Sequence, residues 1–290
     1  EVLIHPFSFE EFLRHKHIAI PEDIRYPAPG ERSLIEQAFM EYLTSGGFPE
    51  AQDLDTASRF QLLKDYVDVA ILRDVVERHS ITNIVGLRWM VRHLLGNAAS
   101  SFSVEKFYNS LKSQGIAISK DTVHNLLAYL EDCFMVRTVW MDTESERQRM
   151  VNPRKSYPVD TGLIPLYDRS ARANLGHLLE TIVMIELERR RYDVTYVRTT
   201  EGYEVDFLVR IPGSRSQLIQ VCADASNPST AEREIRALLK AAEKYGNTQL
   251  RLLTLTRDSF PVSVPEGIIV QPAYEWLLDI PLRDNLRRAI

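Results

Sequence analysis

The stretch that most constrains this fold is Thr199–Asp224, TTEGYEVDFLVRIPGSRSQLIQVCAD, which reads as a β-hairpin. Along its first strand Tyr203, Val205, Phe207, Val209 and Ile211 alternate onto one face, leaving Glu204, Asp206 and Leu208 on the other. Pro212-Gly213-Ser214 breaks the strand. In the second strand Leu218, Gln220 and Cys222 share a face opposite Ile219, Val221 and Ala223, so Asp206 is expected beside Gln220 and Cys222. Just upstream, Asn174–Arg191 predicts a helix that is apolar almost all round. Leu175, Leu178, Leu179, Ile182 and Ile185 make one stripe, and Val183, Met184 and Leu187 make a second that includes Glu180. A carboxylate buried on such a stripe is strongly unfavourable unless it has a partner or a metal.

A helix-borne Glu, a strand carrying Val-Asp-Phe, and a strand in which Gln-Val-Cys fills a Glu-x-Lys slot resemble the restriction-endonuclease-like fold, the PD-(D/E)xK group. The resemblance implies that Glu180 and Asp206 are the acids that hold Mg²⁺. It also implies that Gln220 replaces the second acid, and Cys222 the Lys that helps to activate water. An amide is a weak ligand for a hard cation, and a thiol carries no ammonium charge. The implied site is therefore degenerate, with Glu180 and Asp206 as its remaining metal ligands and Mg²⁺ as the metal they would take. Glu204 shares a face with Asp206 and is a candidate for the lost acid, while Arg233 and Lys240 are candidates for a migrated cation. The plainer alternative has Glu180 and Asp206 making buried hydrogen bonds or pairing with Arg198 or Arg210.

The chain has 290 residues, room for two or three domains. Its two cysteines, Cys133 and Cys222, lack any C-x-x-C spacing, which argues against a disulfide framework and a zinc site. No uncharged apolar run reaches the ~18 residues of a membrane span, and no signal peptide opens the chain, so the expectation is a cytoplasmic protein without a membrane partner. The first residue is Glu1, and the chain reads as the C-terminal portion of something larger. Net charge is −5, unevenly spread: −7 over residues 1–79, +2 over 80–160 and zero over 161–290. Only the middle third carries a basic excess.

Residues 84–141 hold another pattern. The helix IVGLRWMVRHLLGNA precedes VEKFYNSLKSQG, which Ser103 caps, and KDTVHNLLAYLEDC, which Ser119 caps. Two strands, FMVRTVWM and RMVNPRKSYPVD, follow across the charged loop DTESERQ. Helix, helix-turn-helix and hairpin together make a winged helix-turn-helix pattern. In a DNA-binding version Lys120, Thr122, His124 and Asn125 lie on the groove-facing helix, with Arg147, Arg149, Arg154 and Lys155 on or near the wing for phosphates. The groove-facing helix is not basic, however, since Asp121 balances Lys120 and its end carries Glu131 and Asp132. Many such modules only pack.

Residues 1–79 read as helical, with the Pro-rich connector PEDIRYPAPG as a hinge. Pro-Phe-Ser-Phe-Glu-Glu-Phe-Leu at 6–13, Tyr-Leu-x-x-Gly-Gly-Phe-Pro-Glu at 42–50 and Leu-Arg-Asp-Val-Val-Glu-Arg at 72–78 resemble the tail of an AAA+-type ATPase. The family is one of predicted ATP-binding proteins with a helical lid and a C-terminal domain of unknown function. That resemblance implies an ATPase core upstream, with ATP and Mg²⁺ as its cofactors, and Gly46, Gly47 and Pro49 near the nucleotide. Helix termination at Gly46 explains the same residues without a nucleotide. No G-x-x-x-x-G-K-[ST] occurs, so this chain by itself is expected to hydrolyse no ATP and to need no cofactor.

Toward the end, Ser229-x-x-Glu232 reads as a capping box opening TAEREIRALLKAAEKY, which Gly246 closes. The strands LRLLTL and GIIVQ, the helix AYEWLLDI and a frayed tail LRDNLRRAI follow. The expected architecture is multidomain α and α/β: a helical lid remnant over 1–80, a winged helix-turn-helix over 81–160, and a restriction-endonuclease-like α/β domain with a mixed sheet over 161–290. The expected role is a regulatory, DNA-binding region with an impaired nuclease-like site, partnered by DNA and by the ATPase core. An active Mg²⁺-dependent nuclease and a protein-interaction module are the alternatives.

Overall fold

The computed structural model describes residues 3–168, 174–261 and 263–279, so the tail expected over 282–290 lies outside the described residues. Ten α-helices and eight strands lie within them, with 3₁₀ and π segments between. The order begins α1 (Phe9–His15), α2 (Pro29–Ser45), α3 (Thr56–Val69), α4 (Ile84–Gly96), β1 (Ser101–Phe102), α5 (Val104–Ser113) and α6 (Lys120–Asp132). Next come β2 (Val136–Val139), α7 (Glu146–Val151), β3 (Arg154–Pro158), α8 (Leu175–Arg189), β4 (Asp193–Arg198), β5 (Glu204–Arg210) and β6 (Gln217–Cys222). Last are α9 (Pro228–Tyr245), β7 (Gln249–Thr254), β8 (Ile268–Pro272) and α10 (Ala273–Leu278).

The chain is a mixed α/β structure with two sheets. β3 is the central strand of an antiparallel sheet ordered β1-β3-β2, and β4-β5-β6-β7-β8 make a mixed sheet. The β4–β5 and β5–β6 pairings are antiparallel, while β6–β7 and β7–β8 are parallel. The expected strand–helix–strand crossover is therefore present through α9, but Asn227 rather than Ser229 caps that helix, its side chain accepting from the Ser229 N–H at 3.0 Å. Proline at the first helical position explains the earlier start, since its missing N–H is not needed there.

The apolar helix α8 is buried on both sides because it lies between the mixed sheet and helices α1, α2 and α10. Leu178, Leu179, Ile182 and Val183 share one core with Phe9, Phe39 and Leu43 on one side and Phe207, Val209 and Ile219 on the other. Fully burying such a side chain contributes ~1.5–3 kcal/mol. A second core joins α3 through α6 with β2, and a third lies beneath α9. Residues 1–80 thus divide between cores: α1 and α2 join α8, whereas Leu63, Val67, Ile71 and Val75 pack with α4 and α6. The long helix expected there changes character at Ala70, where α3 continues as a π-helix to Glu77.

Two strands of the middle third are shorter than their sequence suggests, and the loop between them is not a bare wing. Residues 146–151 form α7, capped by Ser145, whose side chain accepts from the Gln148 N–H at 3.3 Å. The two sheets are also tied together. Tyr196 on β4 donates its N–H to the Trp140 carbonyl at 2.9 Å and accepts from the Asp142 N–H at 2.7 Å.

Candidate functional site: a lysine among three carboxylates

The expected alternation along β5 fails at one place, and that failure builds the site. Thr195 pairs with Leu208 and Val197 with Val205, so β4 advances two residues while β5 advances three. The extra residue is a β-bulge. It moves Val205 and Leu208 together to the α9 side, with Leu218 and Cys222, and leaves Phe207 and Val209 toward α8. The acids Glu204 and Asp206 come to lie on the α8 side.

Glu180 of α8 meets them, and so does a residue expected elsewhere. Lys155, assigned from sequence to the phosphate-contacting wing, is only 3% exposed. Its Nζ lies 2.8 Å from Asp206 Oδ1, 3.0 Å from Glu180 Oε1 and 2.9 Å from Glu204 Oε1. The Tyr157 hydroxyl donates to Glu180 Oε1 at 2.7 Å, and the Val221 N–H donates to Asp206 Oδ2 at 2.9 Å. Lys155 and Tyr157 are two apart on the central strand β3, so both side chains point the same way, toward α8. A lysine alternating with an aromatic inside an otherwise buried strand was the available signal in the sequence.

Electrostatics follow from the geometry. Burial opposes the Lys155 ammonium, yet Asp206, Tyr157, Glu180 and Glu204 together outweigh it and hold its pKa well above the ordinary lysine value. Burial, then the negative charge of Asp206, pushes the Glu180 carboxyl up to about 8, against the opposing pull of Lys155 and the Tyr157 hydroxyl. Glu180 therefore holds its proton more tightly than an exposed carboxyl does. Three carboxylates suit a hard cation such as Mg²⁺. Here the ammonium already bridges all three, and no grouping of three His, Cys, Asp or Glu suited to a metal occurs among the described residues. The side chains present do not fit Mg²⁺ while Lys155 stands between them.

Gln220 and Cys222 do not share this pocket. Both face α9: Gln220 Nε2 donates to Glu234 Oε2 at 2.7 Å, and Cys222 Sγ donates to the Asp224 carbonyl at 3.2 Å. The bulge puts the Asp206 side chain on the other face, so only its backbone N–H reaches Gln220 Oε1, at 3.3 Å. Burial and Glu234 push the Cys222 thiol up to about 11, keeping it protonated. The expected migrated cations lie elsewhere too: Arg233 pairs with Glu234 and Lys240 with Glu243. Arg198 is exposed and Arg210 pairs with Asp142 at 2.5 Å, so neither supplies the partner.

On α6, His124 and Asn125 are exposed and Thr122 is half-buried, its hydroxyl hydrogen-bonded to Ser119 at 2.8 Å. Lys120 is exposed but pairs with Glu105. Arg147 is exposed on α7, and Arg149 pairs with Glu146 at 3.7 Å. Arg154 does not reach outward as expected; its guanidinium lies 3.6 Å from the Trp140 ring centroid and 3.9 Å from Glu131. Gly46 and Gly47, expected near a nucleotide, are both buried. Gly47 donates its N–H to Asp160 Oδ2 at 2.6 Å and accepts from the Phe7 N–H at 2.7 Å, while Gly46 accepts from Gln52 Nε2 at 3.0 Å. Pro49 is exposed at the start of a short 3₁₀ turn.

Two family models match. Residues 36–170 match a domain of unknown function, DUF8612, and residues 175–276 match another, DUF4143. The chain is similar to "Uncharacterized protein MJ1544" of Methanocaldococcus jannaschii, 32% identical over 284 residues, covering 94% of this chain and 62% of that protein. It is also similar to an uncharacterized protein of Haemophilus influenzae, 26% identical over 278 residues, covering 96% of this chain and 64% of that protein. This chain thus spans less than two thirds of either relative's length. No solved structure matches. The cluster straddles the two matched regions: Lys155 and Tyr157 come from the first, Glu180, Glu204 and Asp206 from the second. Among the described residues, no helix is long and apolar enough to cross a membrane.

Proposed function

We propose that this chain is a nucleic-acid-binding region built on a nuclease-like core that does not cleave, working beside the ATPase core of a longer protein. The observation that carries the reading is Lys155, whose ammonium takes the seat among Glu180, Glu204 and Asp206 that a catalytic cation would need. The order α8-β4-β5-β6-α9-β7 supports the restriction-endonuclease-like assignment, with its helix-borne acid and its acid on the second strand. The order α4-β1-α5-α6-β2-β3, with β3 between β1 and β2, supports a winged helix whose wing carries α7. The lid and ATPase parts of the reading rest on sequence resemblance alone.

Plasmid incubated with the chain and Mg²⁺ or Mn²⁺ is expected to stay uncut. Lys155→Met leaves the three acids unneutralised, so that variant should gain affinity for Mn²⁺, seen as a rise in Tm on adding the ion. The wild type should show no such rise. Duplex binding should be measurable at ~50 mM salt and fall steeply as salt rises, through counterion release; no binding at low salt removes the nucleic-acid half.

One observation favours an active nuclease instead. Glu204 and Lys155 restore, from new positions, a third carboxylate and a lysine. Divalent-dependent cleavage that is lost in both Asp206→Ala and Lys155→Met would establish that second reading.

A further inference from the structure

A cleft of about 860 Å³ opens in the helical region, lined by no residue of the lysine cluster or of α6. Its walls are α3, α4, β1 and α5, and its floor is the end of the 3₁₀ segment Thr161–Leu166 with Tyr167. The volume is in the range of small-molecule sites, ~300–1,000 Å³. Three cations line it, Lys64, Arg92 and Lys106, all exposed. Some exposed cations elsewhere are ion-paired, as in Arg14–Glu10, Arg25–Asp23, Arg73–Asp74, Lys120–Glu105 and Arg236–Glu232. Lys64, Arg92 and Lys106 have no carboxylate within ion-pair distance among the described residues. Asp168 is the acid that shares the lining, so the charge is predominantly positive.

The cleft also offers an aromatic platform. Trp89 on α4 is 39% exposed, a large ring turned outward one helical turn from a neighbour that is anchored. That neighbour, His93, sits against Phe102 and Phe107 with ring centroids at 5.6 and 5.3 Å, so the α4 wall is rigid where Trp89 stands on it. Gly96 fixes the depth of the cleft: a Cβ there would lie 2.9 Å from the Tyr167 carbonyl, so only glycine lets α4 close onto the floor. Polar side chains, Asn97, Ser101 and Gln114, complete the rim. An indole face beside unpaired cations is the combination that takes a base by stacking and its phosphate by charge.

We infer that this cleft binds a nucleotide unit, its base on Trp89 and its phosphate among Lys64, Arg92 and Lys106. The unit comes either as a free nucleotide or as one residue of a single strand. The inference goes beyond the proposal above, because it uses no residue of α6, α7 or the lysine cluster.

Fluorescence anisotropy with labelled dT10, competed by AMP, by inorganic phosphate and by a duplex, tests it on the full chain. Binding of dT10 is expected, weakened ~10-fold or more by Trp89→Ala, in line with the loss of one stacked base. The exposed-charge variant Lys106→Glu should weaken it similarly and lower its salt dependence. Competition by AMP identifies a free nucleotide as sufficient, and failure of AMP with binding of dT10 identifies the strand. The inference is overturned if neither binds, if phosphate competes as well as AMP, or if Trp89→Ala and Lys106→Glu both leave affinity unchanged. Duplex binding that survives both variants, with no dT10 binding, overturns it too while leaving the α6 reading intact.

Discussion

The Lys155 ammonium donates to the carboxylates of Glu180 on α8 and Asp206 on β5, and pairs by charge with a third, Glu204. Such a cluster binds protons differently folded and unfolded, which gives it a pH signature. The Glu180 carboxyl, near ~4.3 in the unfolded chain, stands at about 8 in the fold, and the buried Asp160 carboxyl is raised to about 6 by desolvation. Between those values the native state holds more protons than the unfolded one, so stability falls as pH rises. The contribution of Glu180 is full below the unfolded pKa and lost on passing about 8. Lys155 contributes with the same sign, but its loss lies above the ordinary lysine range and outside this window. Urea midpoints from pH 5 to 8.5 should therefore decline, and Glu180→Gln should flatten most of the decline between pH 6 and 8.5. An unchanged slope in that variant would show that Glu180 is ionised throughout.

At the scale of elements, the turn after α2 depends on a backbone no other residue supplies. Gly46 has φ +77°, and a Cβ there would meet Asp160 Oδ1 at 1.7 Å, the carboxylate that accepts the Gly47 and Gly162 N–H groups. Gly213, with φ +72°, has nothing within 4 Å of its own added Cβ. Alanine at Gly213 should cost only the backbone penalty, ~1–2 kcal/mol. Alanine at Gly46 should cost ~2 kcal/mol or more beyond that, because a buried acid must also lose its donors. Denaturant melts of the two variants measure the difference directly, and equal losses would show that Asp160 can move aside. Much of the surrounding architecture was legible: the doubly apolar α8, the alternation of β6 and the helix order of the middle third all follow from periodicity. The bulge in β5 was not, since no glycine or proline marks Val205–Phe207 and strict period-two reading sends Phe207 to the wrong face. Lys155 escaped for a different reason. It is 25 residues from Glu180 and 51 from Asp206, so the local cue, its alternation with Tyr157, names neither partner.

Over the whole molecule, the cores ignore the linear order of the chain. Phe9, Phe12 and Phe39 from the first forty residues pack with Tyr274, Trp276 and Leu277 from the far end, around α8. Arg189 donates to the Pro6 carbonyl at 2.7 Å across the same boundary. A fragment spanning residues 174–279 would expose the α8 face that α1 and α2 cover and would keep three acids with no lysine between them. It should be insoluble or molten, without the near-ultraviolet circular dichroism of the intact chain, whereas the full chain should unfold in one transition by both far- and near-ultraviolet signals. A folded, soluble fragment would mean that the second matched region stands alone.

The placement of Lys155 has an evolutionary corollary. Two regions that family models treat as separate share one charge balance, the cation in one and the anions in the other. Recombination that exchanged either region for one without the matching charge would leave a hole or a surplus at the centre of the protein. Such regions are expected to be inherited as a couple, with changes at position 155 answered by changes at 180, 204 or 206.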